Sequence, residues 1–145
     1  GKILLMEKEK LEKKLKKVKK KIEKFEEKRA TVLKTKQLKD GEDFVVKWEN
    51  DNLKLFIWDA NEEDGDRIRL KINDEIILYD YTTKRKRKKI KYKLKEGENI
   101  IEIKAISLGT SPPNTSRIEL VDSKTKYPVI TQLTLDKSAI ISIMK

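Results

Sequence analysis

The chain contains no cysteine and no histidine among its 145 residues. The absence of cysteine excludes disulfide bonds and thiolate metal ligands, so the sequence does not indicate a redox compartment. The absence of histidine excludes His-containing catalytic triads and His-ligated zinc, and it removes the commonest general base. No glycine-rich phosphate loop follows a strand pattern and opens a helix pattern. We therefore expect a protein that is not an enzyme.

Long apolar runs are also absent, since no segment approaches the ~20 residues that a membrane-spanning helix needs. The apolar run at residues 3–6 is too short for the core of a signal peptide. Charge is abundant instead, with 42% charged residues and a net charge of +11. Residues 1–39 hold 16 basic and 6 acidic residues, whereas residues 40–145 hold 20 and 19. The positive excess therefore belongs to an N-terminal arm, and we expect two parts, 1–39 and 40–145.

The arm carries apolar residues at alternating steps of three and four, and neither glycine nor proline interrupts it before Gly41. This spacing predicts a long amphipathic helix with a coiled-coil-like seam. The seam consists of Leu4, Leu11, Leu15, Val18, Ile22, Phe25 and Val32. Three roles stay open for it: a spacer or oligomerisation stalk, docking on an acidic protein groove, and adsorption to anionic lipid or nucleic acid.

Residues 40–145 change to a period of two, as in Ile68, Leu70 and Ile72, which alternate with charged residues. About eight or nine short strands follow, separated by turn residues roughly every 8–12 positions. This pattern predicts a mainly β fold, an antiparallel β-sandwich of the jelly-roll or immunoglobulin-like kind. A barrel such as the OB-fold is the alternative. Trp48 and Trp58 lie within alternating strands, so we expect both to pack in the core.

An acidic turn offers hard oxygen ligands of the kind that Ca²⁺ prefers. Its candidate ligands are Asp59, Asn61, Glu63, Asp64 and Asp66. The spacing is not that of an EF-hand. The alternative is a structural role, in which these side chains cap a strand-to-strand turn and Gly65 supplies a positive φ. We expect no other cofactor.

A run of cations follows the acidic turn and could bind a phosphate backbone. It consists of Lys84, Arg85, Lys86, Arg87, Lys88, Lys89, Lys91 and Lys93. Two other interpretations stay open. The run could be a solvated hairpin whose charge protects a sheet edge. It could also bind an oppositely charged partner, including the acidic residues 40–66 of a second copy.

Several short motifs of residues 40–145 together resemble those of a known domain family. They are Trp58-Asp59, Asp64-Gly65-Asp66, the Ile-x-Leu-x-Ile-Asn strand at 68–73, Leu94-x-x-Gly97-x-Asn99, and the Leu-Gly-Thr-Ser-Pro-Pro-Asn-Thr run at 108–115. Over about residues 44–145 the chain resembles a recurring C-terminal β-sandwich domain of Bacteroidetes envelope and secreted proteins. The resemblance implies a non-enzymatic module of the cell envelope, the periplasm or the extracellular space, with no established ligand.

The sequence thus predicts a non-catalytic adhesion or assembly module of a bacterial envelope or extracellular complex. In this interpretation the helix tethers or oligomerises the protein, and the sandwich contacts a protein partner. The first alternative is a nucleic-acid or polyanion binder that uses the arm and the 84–95 hairpin. The second is a carbohydrate-binding sandwich, which requires a tryptophan exposed on a flat face.

Overall fold

The computed structural model describes the chain except residues 1, 29–30 and 60–64, and it describes the helix side chains over residues 7–21. The chain forms two compact units, Gly1–Thr31 and Val32–Lys145. Helix α1, Lys2–Lys28, occupies the first unit and contains neither glycine nor proline, which would weaken it. In the part of the chain that is described, no helix is long and apolar enough to cross a membrane.

Strands make up most of the second unit. Those in the described residues are β1 (Thr31–Val32), β2 (Lys36–Leu38), β3 (Asp43–Lys47), β4 (Asn52–Trp58), β5 (Arg67–Ile72), β6 (Glu75–Thr82), β7 (Lys88–Lys93), β8 (Glu98–Ser107), β9 (Asn114–Asp122), β10 (Thr125–Leu133) and β11 (Ser138–Met144). Strands β3 to β11 lie where the alternating pattern predicts strands. The fold is therefore mainly β.

The strands form two mixed sheets. Sheet A has the order β1-β10-β9-β4-β7, with β2 also paired to β10, and sheet B has the order β3-β11-β8-β5-β6. Most pairs are antiparallel, but β2 runs parallel to β10 and β3 runs parallel to β11. The prediction of purely antiparallel sheets is wrong at these two edges, because alternation shows which side chains share a face but not strand direction.

The inward side chains of both sheets form one hydrophobic cluster, which makes the arrangement sandwich-like. Leu55 and Ile57 of β4 and Ile101 and Ile103 of β8 are all fully buried. Burying one such aliphatic side chain stabilises the fold by roughly 1.5–3 kcal/mol. Because β4, β5, β8, β9 and β11 bury alternate residues, their intervening residues are left for the two outer faces.

The segment between the helix and β3 differs from the predicted arm. Val32, the last predicted seam residue, lies in β1, and Leu38 of β2 is fully buried in the core. Thr31 and Val32 are β-branched, and such side chains fit a strand better than a helix. A single apolar residue at helical spacing could not reveal that the edge of β10 would pair with this segment. Residues 31–38 therefore form two short strands with a connection between them rather than a continuation of the helix.

The turn at Asn73-Asp74 joins β5 and β6 as the sequence predicts. Both residues have positive φ angles, 50° and 64°. Two such residues in succession are typical of the tight hairpin turn whose twist matches that of the flanking strands, and Asn and Asp tolerate this backbone better than most residues. The turn places β6 beside β5, and β6 is the last strand in the order of sheet B.

Candidate anion-binding face

The outer side of sheet A is strongly cationic. In β4, buried Leu53 and Leu55 alternate with Lys54 and Phe56, which lie on the outer side. The same alternation in β7, β9 and β10, all of which are fully described, places these charged residues on that side: Lys54, Lys89, Lys91, Lys93, Arg117 and Lys126, and one carboxylate, that of Glu119. We call this surface the sheet A face.

The outer side of sheet B carries both signs of charge. Arg67 Nη1 lies 2.7 Å from Asp80 Oδ2, and Glu102 lies opposite Lys71 across β8 and β5. Arg69 donates to the backbone carbonyl of Tyr79 at 3.1 Å. The two sheets therefore differ in charge distribution and not only in strand order.

Two lysines of the sheet A face are directly opposed. Lys54 of β4 pairs with Lys91 of β7, and both side chains are exposed. Like charges at directly opposite positions repel each other and destabilise a strand pair. The pKa of Lys89 is lowered, first by the charge of Lys91, then by partial desolvation and by Lys54. A bound anion would relieve this repulsion.

A shallow depression of about 380 Å³ lies beside the two opposed lysines. It is lined by Asn50, Asn52, Leu53, Lys54, Lys91, Val121 and Ser123, without a carboxylate among these residues. Asp122 fixes the backbone of the turn that contributes Asn50 to this lining. Its carboxylate accepts hydrogen bonds from the backbone amides of Glu49 at 3.0 Å and Asn50 at 3.2 Å. Asn50 Nδ2 also donates to Ser123 Oγ at 3.4 Å.

Arg87 connects the basic run to two aromatic rings. Its guanidinium carbon lies 4.1 Å from the ring centroid of Trp58 and 5.8 Å from that of Phe56. Its Nη1 atom lies 3.6 Å from Glu119 Oε1, so the carboxylate of the face has a cationic neighbour. Trp48 is buried as predicted, but Trp58 is half-buried on the outer side. The prediction of a core position for Trp58 is wrong because Trp58 is in phase with Phe56.

The basic run predicted from the sequence is exposed at all of its cations, and it forms the β6–β7 loop and the edge strand β7. The loop is fixed at its base by the two ends of the acidic turn. The backbone amide of Asp59 donates to the carbonyl of Lys84 at 2.8 Å, and that of Thr83 donates to the carbonyl of Asp66 at 3.0 Å. The fold therefore brings the ends of the acidic turn next to the start of the basic run.

Three of the five predicted calcium ligands lie outside the residues that the structure describes. Asn61, Glu63 and Asp64 lie outside the described residues, whereas Asp59 and Asp66 are buried. Asp66 Oδ2 accepts a hydrogen bond from the backbone amide of Thr115 at 3.1 Å, which is a structural role. Within the described ranges no group of three or more candidate ligands could hold a metal ion. Calcium binding stays a prediction.

The helix seam is described at Leu11, Leu15 and Val18, which are 62%, 54% and 52% exposed. The side chains of Leu4, Ile22 and Phe25 lie outside the described residues. Leu11, Leu15 and Val18 share one face of the helix at steps of four and three.

The sequence did not identify Lys54, Arg117 and Lys126 as part of a site. Each is a lone cation in its own strand, and only the strand order β10-β9-β4-β7 places them beside the basic run. A partial signal exists for Lys54, since it interrupts an otherwise apolar segment from Leu53 to Trp58. The depression has no local signal, because three separate parts of the chain line it.

Comparisons of the chain with protein-family models, with curated proteins and with solved structures found no match. The resemblance to a Bacteroidetes envelope domain stays a prediction from the motifs that carry it.

Proposed function

We propose that the protein is a non-catalytic binding module whose sheet A face binds an anionic polymer, and that this polymer is a single-stranded nucleic acid. The observation that carries the proposal is the charge of the face, where six outward cations accompany one carboxylate. That carboxylate, of Glu119, has Arg87 at 3.6 Å. A surface of this kind attracts polyanions and releases the counterions that neutralise them.

The arrangement of the cations favours a polymer over a single small anion. Lys89, Lys91 and Lys93 occupy every second position of β7 and are exposed. Successive outward positions of a strand lie ~6.6 Å apart, so these ammonium groups form a row. The row continues into the basic loop at residues 84–87. A linear ligand with regularly repeated charges can contact several of these groups at once.

The aromatic rings favour nucleic acid among the anionic polymers. Phe56 and Trp58 lie half-buried on the same face as the lysines. Bases can stack on such rings, and stacking is typically worth ~1–3 kcal/mol per base. Arg87 covers part of Trp58, and its planar guanidinium can itself stack on a base. A neutral sugar would need the uncovered ring and would leave the cations without partners.

The test is the binding of fluorescent oligothymidylate to the full chain, with the variant Lys89→Gln/Lys93→Gln. We expect the variant to lose roughly tenfold or more in affinity at low salt, because each lysine contacts a phosphate. Two variants remove the same charge elsewhere: Lys47→Gln/Lys104→Gln on sheet B and Lys13→Gln/Lys20→Gln on the helix. If all three variants lose affinity equally, net charge rather than the sheet A face binds the polymer, and the proposal fails.

A sulfated glycan is the competing ligand. Heparin carries charge but no aromatic bases, so we expect Phe56→Leu to weaken oligothymidylate binding and to leave heparin binding unchanged. Equal weakening of both ligands, or tighter binding of heparin than of the oligonucleotide at equal charge, would assign the face to an acidic glycan instead.

A second role is favoured by the exposed helix seam. Leu11, Leu15 and Val18 expose more than half of each side chain on one face of α1. An amphipathic helix with such a face can tether or oligomerise a module. Together with the motif resemblance, this supports an assembly module of a bacterial envelope or extracellular complex, in which the sandwich-like unit contacts the ligand. The helix and the sheet A face would then act in the same protein.

A further inference from the structure

We propose that the depression between Lys54, Lys91 and the two adjoining turns is a subsite for one phosphate group. The inference deepens the proposed function and rests on it, since the phosphate would belong to the bound nucleic acid. It identifies which group of the polymer is bound at a defined position, whereas the rest of the sheet A face acts as a distributed charge.

An opposed pair of lysines favours an anion at the depression. Lys54 and Lys91 lie at directly paired positions of β4 and β7 without an intervening carboxylate. Between them the fold holds two like charges that repel each other, and an anion between the two ammonium groups converts this repulsion into two attractions. The nearby carboxylate of Asp122 accepts hydrogen bonds from two backbone amides of the turn at Glu49 and Asn50, so its structural role is to fix that turn.

The shape and chemistry of the walls also suit a phosphate group. A volume of about 380 Å³ accommodates a phosphate together with part of the attached nucleoside. Asn50, Asn52 and Ser123 supply neutral donors beside the lysines, and side chains of these types commonly bind phosphate oxygens. Val121 supplies an apolar surface that a sugar or a base can contact.

The type of cation in the depression favours phosphate over carboxylate. Arginine with its planar fork suits the planar carboxylate, whereas the lysine ammonium is a point charge with three rotatable donors. Both cations of the depression are lysines at paired positions of two neighbouring strands, and both side chains project from the outer side of the sheet. Two ammonium groups with three donors each can contact different oxygens of one tetrahedral anion.

The test follows inorganic phosphate in backbone amide NMR spectra of the full chain, with sodium chloride at matched ionic strength as the reference. We expect saturable shifts at Asn50, Asn52 and Ser123 in the wild-type protein. The same shifts should be absent from Lys54→Gln/Lys91→Gln and present in Lys47→Gln/Lys104→Gln. Phosphate should also raise the melting temperature of the wild-type protein and not that of the first variant, because a ligand of the folded state stabilises it. Shifts that spread over all lysines alike would overturn the subsite.

Oligothymidylate binding separates this inference from the proposed function. We expect Lys54→Gln/Lys91→Gln to bind the oligonucleotide at least severalfold more weakly and inorganic phosphate to compete at the depression. If binding needs Lys89 and Lys93 but tolerates the loss of Lys54 and Lys91, the subsite is wrong and the proposed function stands. If phosphate occupies the depression but the wild-type protein binds no oligonucleotide at low salt, the subsite stands and the proposed function is wrong.

Discussion

Asp40 joins two turns that lie side by side at one end of the sandwich-like unit. Its Oδ1 accepts a hydrogen bond from the backbone amide of Thr134 at 2.9 Å, and its Oδ2 accepts one from the Thr134 hydroxyl. These hydrogen bonds, the hydroxyl one first, lower the pKa of Asp40 below 3.8, with a further contribution from the charge of Lys137. The carboxylate therefore ties the β2–β3 turn to the β10–β11 turn.

The variant Asp40→Asn tests whether this carboxylate stabilises the fold, through the pH dependence of the melting temperature. A lowered folded-state pKa means that the ionised Asp40 stabilises the fold above pH 3.8, and that this contribution is lost as the pH falls through the folded-state value. We expect the variant to melt at a lower temperature than wild type at neutral pH, because the amide keeps only one acceptor oxygen. The difference should shrink as the pH falls below the folded-state pKa.

The control for this variant is Glu75→Gln, which removes an exposed carboxylate at the opposite edge of sheet B. Its melting temperature should follow that of wild type at every pH. A difference between Asp40→Asn and wild type that stays constant down to strongly acidic pH would show that ionisation of Asp40 does not contribute.

At the scale of the elements, substitutions on the seam of helix α1 test its proposed role in assembly. We expect Leu11→Gln/Leu15→Gln to abolish any concentration-dependent self-association that wild type shows, because the seam would lose its apolar area. Sedimentation equilibrium of the full chain measures this. The matched variant Glu9→Gln/Lys13→Gln changes the opposite helix face without changing net charge and should associate as wild type does. Self-association that survives the loss of both leucines would exclude the seam as the interface.

The strands show how far the sequence determines the fold. Alternation identified β3 to β11 most clearly where a strand buries every second residue, as β5 does with Ile68, Leu70 and Ile72. It could not identify β2, since three residues are too few for a period and only Leu38 is buried. Nor could it determine the parallel edges, because strand direction depends on which distant edge is available for pairing. Local patterns therefore predicted the elements but not their neighbours.

For the candidate site, too, the sequence predicted the local pattern but not which residues the fold brings together. The basic run from Lys84 to Lys93 was predicted, since six consecutive cations at 84–89 continue into Lys91 and Lys93 at alternate positions. Lys54 and Ser123 were not, because they meet Lys91 only through the order of β4, β7 and β9. The position of Trp58 was predicted wrongly because the apolar segment from Leu53 to Trp58 obscures which of its residues face outward.

At the scale of the whole molecule, charge is distributed by face. On sheet B, Arg67 has Asp80 beside it and Lys71 lies opposite Glu102, whereas the cations of the sheet A face outnumber their one carboxylate. Folding would have been compatible with a mixed outer face on both sheets. The positive excess of the sheet A face over its one carboxylate is what the proposed anionic ligand would neutralise.

The most direct test of this account is the salt dependence of oligothymidylate binding by the full chain. If about five lysines of the sheet A face contact phosphates, the logarithm of the association constant should fall with the logarithm of salt concentration with a slope near −3.5. The slope should become shallower by roughly 1.4 in Lys89→Gln/Lys93→Gln. It should stay unchanged in Lys47→Gln/Lys104→Gln. A slope near zero, or one that changes equally in both variants, would contradict nucleic-acid binding by this face.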